Sequence, residues 1–197
     1  MSGIRRKLKW VFKTEKINMI AFKALQMAII QDMLNNGKSP AEIREYVEGL
    51  GRYFGDLLYI DYHARGGEVA RSIADIGKIA NLFYISLFGE TLDQIHYSFD
   101  EKSNSICLHL IAHDGFPTCR GMVSPHPNIK LGAFIVGGIN RMLELKKGEL
   151  EYKEAYSWEE ECVSAGGNRC EIIIKFVVDS SAYKRIVSRI GGGKSVE

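Results

Sequence analysis

The sequence predicts one α+β domain: three N-terminal helices, two strands, a helix, two strands and a short C-terminal helix, with an antiparallel sheet packed on the helices. Three observations carry this. Apolar residues recur at helical spacing through the first half of the chain, then at a spacing of two from Asp93 onward. Glycine and proline punctuate the chain where the period changes. No internal repeat or long linker divides the 197 residues, a length that suits a single core.

Taken in order, Ile4, Leu8, Val11 and Phe12 recur at helical spacing, with basic residues and Trp10 between them. They mark a basic amphipathic arm over residues 1–16. The domain proper, residues 17–190, opens with a longer helix whose apolar side carries Ile17, Ile20, Ala21, Ala24, Leu25, Ala28, Ile29 and Leu34. Asn35-Asn36-Gly37 ends it. Ser39-Pro40-Ala41-Glu42 restarts the chain, with Ser39 as N-cap, Pro40 at the first helical position and Glu42 completing a capping box. This second helix runs to about Tyr62 and is thinned by Gly49, Gly51 and Gly55. Each glycine costs roughly 1 kcal/mol against alanine, so a close helix–helix contact is expected to offset them.

Gly66-Gly67 is the next break. A third helix follows in EVARSIADIGKIANLFYISLFGE, apolar at Val69, Ile73, Ile76, Ile79, Ala80 and Phe83 and closing at Gly89. DQIHYSFD and SICLHLIA are then two strands joined at Lys102-Ser103-Asn104. GFPTCRGMVSPHPN holds three of the four prolines and is loop. IKLGAFIVGGINRMLEL returns to helix, with Gly132, Gly137 and Gly138 on it. ELEYKEAYSWEEEC and RCEIIIKFVV pair as strands, SAYKRIVSRI is the last helix, and residues 191–197 are a tail.

Composition narrows the function. Hydrophobic residues make up 46% and charged residues 25%, as in an ordinary globular domain. The apolar runs are too short to span a bilayer, and no signal peptide is visible, so a cytoplasmic protein is expected. In that reducing setting the four cysteines read as thiols or metal ligands. The net charge of +2 hides an asymmetry: Arg5, Arg6, Lys7, Lys9, Lys13 and Lys16 crowd the arm, while ELEYKEAYSWEEE holds six glutamates. Directional contacts follow, not general polyanion binding. Arg5, Arg6, Lys7, Lys9 and Trp10 are candidate contacts to an anionic membrane surface, each basic residue adding about 1 kcal/mol.

Catalytic and nucleic-acid readings fail on the residues. Tyr152, Tyr156 and Trp158 alternate along one strand, but their acidic neighbours oppose a nucleic-acid platform and favour core packing or a protein interface. GGGKS lacks both the upstream glycine, which is Ser188, and a following helix, so it is no phosphate loop. His113-Asp114 has no nucleophile with a signature of its own. No enzymatic activity is expected.

The stretch EECVSAGGNRCEI sets Cys162 and Cys170 eight positions apart around a Gly-Gly-Asn turn. With Ala165-Gly166-Gly167 as a three-residue hairpin loop, the two cysteines face each other, and Ile172, Ile174 and Phe176 share the face of Cys170. They read as two ligands of a metal that needs about four donors, as a disulfide, or as two thiols packing as small hydrophobes. Further donors are Glu159, Glu160 and Glu161 nearby, and Cys119, Cys107, His113 and His126 at a distance. Strict alternation sets Glu160 beside Cys162, so Glu159 joins only through a bulge.

The order of elements, with KALQMAIIQDML on the first helix, IADIGKIANLFYISLFG on the third and LGAFIVGGINRMLEL on the fourth, resembles the transport protein particle (TRAPP) small-subunit family over roughly residues 18–190. The hairpin EEECVSAGGNRCEIIIKF is similar to that of the 4-vinyl reductase domains of the same superfamily, in which an acid three before a cysteine is followed by a second cysteine eight further on. Glu159, Cys162 and Cys170 match that spacing. The TRAPP resemblance implies a scaffold or tethering subunit that assembles as a homodimer or with related subunits, peripheral to membranes. The 4-vinyl reductase resemblance implies a sensor domain that binds a small hydrophobic ligand and is stiffened by zinc at the hairpin. In zinc-bearing members a further cysteine comes from the fourth helix. Lys130-Leu131-Gly132-Ala133 has none, so Cys119 becomes the expected fourth ligand if its loop folds back. A hairpin that has kept its thiols and lost its clamp is the competing outcome. Some TRAPP subunits acylate a cysteine between the second and third helices. The matching segment YIDYHARGGEV, with Tyr62 and His63, has no thiol, so an apolar cavity is expected without covalent acylation.

Overall fold

The computed structural model describes residues 18–64 and 70–191. Asn18 caps the first helix, α1 (Met19–Asn35), accepting the amide of Ala21 at 3.2 Å. The buried residues of α1 are Gln26 and Ile30, and the predicted apolar stripe is not its inner face: Ile20 and Leu25 are 84% and 62% exposed. The helix is apolar around most of its circumference, so periodicity alone does not select a face. Packing does, by seating Phe22 against Phe134 at 4.8 Å between ring centroids.

The second helix, α2 (Pro40–Ala64), passes slightly beyond Tyr62. Its capping box forms as predicted: the Ser39 amide donates to Glu42 Oε2 at 2.9 Å, and the Glu42 amide to Ser39 Oγ at 3.3 Å. Ser72 caps α3 (Ile73–Phe88), which Gly89 closes in the left-handed region at φ 82°. Then come β1 (Gln94–Asp100), β2 (Ser105–Ala112), α4 (Ala133–Leu145), β3 (Glu154–Glu161), β4 (Cys170–Val177) and α5 (Ser180–Gly191). The arm at 1–16, with Arg5, Arg6, Lys7, Lys9 and Trp10, lies outside the described residues, as do the Gly66-Gly67 break and residues 192–197. Among the described residues, no helix is long and apolar enough to cross a membrane.

The strands pair antiparallel in the order β1-β2-β4-β3. Ile106, Leu108 and Leu110 of β2 and Ile172, Ile174 and Phe176 of β4 are all buried on the inner face. Each contributes about 1.5–3 kcal/mol of burial. Tyr152 does not share a face with Tyr156 and Trp158: it precedes β3 and turns inward against Phe176, because its hydroxyl donates to the Leu143 carbonyl.

The expected close contact lies between α2 and α4. A Cβ on Gly51 would stand 2.0 Å from the Phe134 carbonyl oxygen, and one on Gly137 2.0 Å from that of Glu48. Gly49 takes no part, since nothing lies within 4 Å of its Cβ position. Between these helices, α3 and the sheet sits an apolar cavity of about 180 Å³, walled by Phe22, Phe54, Phe134, Ile76, Leu110 and Ile172 among others.

Candidate metal centre

Strand β3 carries a bulge between Glu159 and Glu161. Glu159 pairs with Ile172 and Glu161 with Glu171, so Glu160 is the extra residue. The slip turns Glu159 and Cys162 both inward, the condition under which Glu159 joins the cysteines. Lys130 holds it open: its ammonium donates to the carbonyls of Glu159 at 2.8 Å and Glu160 at 2.6 Å. Glu160 points away and accepts the indole N–H of Trp158 at 2.6 Å. Glu161 serves the turn instead, accepting the amide of Asn168 at 2.6 Å.

The turn differs from the predicted three-residue loop. β3 ends at Glu161 and β4 begins at Cys170, and the connection holds a 3-10 turn, Val163–Ala165, closed by Gly166 at φ 92°. The amides of Ala165 and Gly167 both donate to the Cys162 carbonyl, so local turn bonds replace ladder bonds. The register still sets the cysteines face to face.

The loop after β2 folds back onto this hairpin. Its Ser124 amide donates to the Ser164 carbonyl at 2.7 Å, and Arg120 anchors it by a two-bond contact to Glu90 at 2.9 and 3.0 Å. Cys119 is thereby buried completely beside the hairpin thiols. The donor atoms of Cys119, Glu159, Cys162 and Cys170 all lie within 4.8 Å of one another. Cys107, His113 and His126 are not members of the cluster.

Chemistry and geometry fit a cation. The Cys162 and Cys170 sulfurs are 3.8 Å apart and unbonded. That is about the edge of a tetrahedron drawn with ~2.3 Å zinc–sulfur bonds. Among the described residues, neither buried carboxylate oxygen of Glu159 has a hydrogen-bond partner. A buried carboxylate without donors must either take a proton or meet a cation. Burial, then the neighbouring Cys162 sulfur, pushes the Glu159 carboxyl well above its usual range. Cys162 is pulled far down, because Cys119, Cys170 and Ser164 direct hydrogen-bond donors at its sulfur. Cys170 is pushed up to about 12: the Cys119 bond lowers it, but the Cys162 bond, burial and the Cys162 charge outweigh that. Cys119 rises well above the usual thiol range as it donates to both partners and is buried. Three sulfurs and a carboxylate thus converge on one point, the donor set a divalent cation would meet there.

Sequence reasoning missed Gly132 and Gly115. Gly132 stands at the N-terminus of α4, where a Cβ would lie 2.3 Å from Glu159 Oε1. It clears the space the carboxylate occupies. Gly115, at φ +89°, passes under Val163, where a Cβ would come within 2.5 Å of that side chain. No pattern in the chain flags either role, since both depend on a partner far away in sequence.

A fold comparison can now be made. The structure superimposes on a trafficking protein particle complex subunit 3 from Naegleria fowleri, solved covalently bound to palmitic acid, with a TM-score of 0.63 and 17% identity over 84% of this chain and 100% of that one. The chain has the TRAPP small-subunit fold. The phenol-responsive sensory domain of the transcription activator PoxR, solved with phenol, matches with a TM-score of 0.50 and 15% identity over 87% of this chain and 82% of that one. A vinyl-4-reductase family protein from Methanocaldococcus jannaschii is a more distant match, with a TM-score of 0.41 and 19% identity over 89% and 91%. No family model matches the sequence, and no curated protein sequence matches it. The cavity lies between the helical layer and the sheet, and the cysteine cluster closes one end of the hairpin.

Proposed function

We propose that this TRAPP-like chain is a non-enzymatic scaffold that assembles as a dimer, or with related subunits, through α1 and α2, at a membrane surface reached by its basic arm. The observation that carries this is an apolar stripe with no partner among the described residues. Tyr46, Leu50, Tyr53, Leu57 and Ile60 are exposed along one side of α2, beside exposed Ile20 and Leu25 of α1. Their spacing of three and four keeps them on one face, and a contiguous apolar face of that kind marks an interface. An apolar groove of about 220 Å³ runs beneath it between the two helices. Sedimentation of the full chain at micromolar concentration should give a dimer that Tyr53→Glu with Leu57→Glu converts to monomer. A strict wild-type monomer counts against assembly with itself.

The arm's share is tested separately. Changing Arg5, Arg6, Lys7 and Lys9 to Glu is expected to abolish binding to vesicles containing phosphatidylserine with the melting temperature unchanged; equal binding by the variant removes the membrane role.

A second reading is favoured by the cavity and the cysteine cluster together: a sensor-type domain that takes a small hydrophobic ligand and is held rigid by zinc. An apolar cavity of roughly 150 Å³ suffices to bind benzene, so 180 Å³ accepts a ligand of one aromatic ring. Cys119, Glu159, Cys162 and Cys170 would hold the ion. When bound, zinc supplies a crosslink between the hairpin and the loop after β2. Native mass spectrometry of protein purified without chelator distinguishes the readings, since zinc or a one-ring apolar passenger belongs to the second alone.

A further inference from the structure

The outer face of the sheet, on the side away from the cavity, carries a second chemical arrangement. Ser98 of β1 is exposed, and its Oγ lies 2.9 Å from His109 Nε2 of β2. His109 Nδ1 lies 2.7 Å from Glu171 Oε1 of β4. The other oxygen of Glu171 accepts Arg169 Nη2 at 2.5 Å, and the Glu171 side chain is only 6% exposed. Sheet register sets this up. His109 pairs with His96 and Ile173, so Ser98 and Glu171 are its diagonal neighbours on the two sides.

The protons in this chain can be assigned. Glu171 Oε2 is ion-paired with the Arg169 guanidinium, which favours the carboxylate form. An ionised carboxylate can only accept, so His109 Nδ1 carries the proton. In the neutral ring Nε2 is then a lone pair, and the Ser98 hydroxyl must donate to it. This is the tautomer a general base needs to take a proton from a serine. The His96 ring lies parallel to that of His109 at 4.3 Å and limits its tilt. His96 is held below its usual range by burial first and by His109 second, which keeps a second positive charge away from the base.

We propose that Ser98 is an acyl acceptor, a hydroxyl activated by His109 and Glu171 that takes the acyl group of activated carboxylic esters. In the step, Ser98 Oγ attacks the ester carbonyl carbon and its proton passes to His109 Nε2. The new Oγ–C bond forms as the bond from carbon to the leaving oxygen breaks, and His109 returns the proton to that oxygen. Glu171 acts through His109 as a positioning residue. The site is separate from the cavity and the cysteine cluster, so it stands or falls independently of the scaffold and sensor readings.

The test treats the full chain with p-nitrophenyl acetate and, separately, with a fluorophosphonate, and locates the adduct by peptide mass analysis. One adduct on Ser98 is expected, formed about 100-fold or more faster than on other surface serines, as general-base assistance provides. Ser98→Ala should remove it and Cys107→Ser, altering the thiol paired across the strands from Ser98, should leave it. Labelling should be slowed in deuterium oxide, and both His109→Gln and Glu171→Gln should slow it further and abolish that isotope effect. Absence of label from Ser98, label on Cys107 instead, or an unchanged labelling rate in His109→Gln overturns the proposal.

Discussion

Two alanines placed two residues apart on α2 should act in opposite directions. Gly49 faces open space, so Gly49→Ala meets nothing and gains the helix propensity of alanine, about 1 kcal/mol. Gly51→Ala makes the same gain but sets its Cβ 2.0 Å from the Phe134 carbonyl oxygen and 2.9 Å from the carbonyl carbon, well over an ångström inside the 3.4 Å at which ordinary contact begins. The obstructing atoms are backbone, so no rotamer relieves them and α2 must move away from α4. Overpacking of this kind costs about 1–3 kcal/mol and at times more, and a displacement this large belongs at the upper end. After subtracting the propensity gain, Gly51→Ala should lose about 2 kcal/mol. For a chain of this size 1 kcal/mol corresponds to roughly 2–4 °C. Thermal unfolding followed by circular dichroism should therefore place Gly49→Ala about 2–4 °C above wild type and Gly51→Ala about 4–8 °C below. If both variants move upward, the backbone-to-backbone approach of α2 and α4 is wrong.

Three further outcomes are expected. Gly132→Ala fills the space beside Glu159 Oε1, so zinc uptake followed by native mass spectrometry should fall with it, whereas Gly49→Ala, in open space among the described residues, should retain any ion the wild type holds. In metal-free protein, the raised Glu159 carboxyl supplies stability that is complete below its unfolded value near 4.5 and is lost as pH rises toward its folded value. Urea midpoints should accordingly decline above pH 4.5, and Glu159→Gln should flatten the decline; identical profiles would remove the buried protonated carboxyl. Ser39→Ala breaks the capping box at a cost of about 1 kcal/mol. Glu42, held at about 2 first by the Ser39 amide, then by Lys38 and the Ser39 hydroxyl, contributes stability that is lost as pH falls through that value. Alanine keeps the amide, so only the hydroxyl's share of the Ser39→Ala deficit should shrink in strong acid.

The chain's periodicities and breakers were sufficient for the order of elements. The shift from helical spacing to alternation near Asp93, the Ser39–Glu42 box and the Gly89 stop each act within a few residues, and each appears where the sequence expects it. The pairing of Cys162 with Cys170 was legible for the same reason, since hairpin register is local. Long-range packing decided the rest. The inner face of α1 was set by aromatic partners on other elements, because a helix apolar on most sides carries no preference of its own. The bulge that turns Glu159 inward depends on Lys130, and the third thiol depends on a loop that Arg120 and Ser124 pin to distant groups. The Ser98–His109–Glu171 line joins three strands whose neighbours exist only once the sheet order is set. Local chemistry is written in sequence; which side chains converge on one point depends on contacts between residues tens of positions apart, and only the folded chain supplies those.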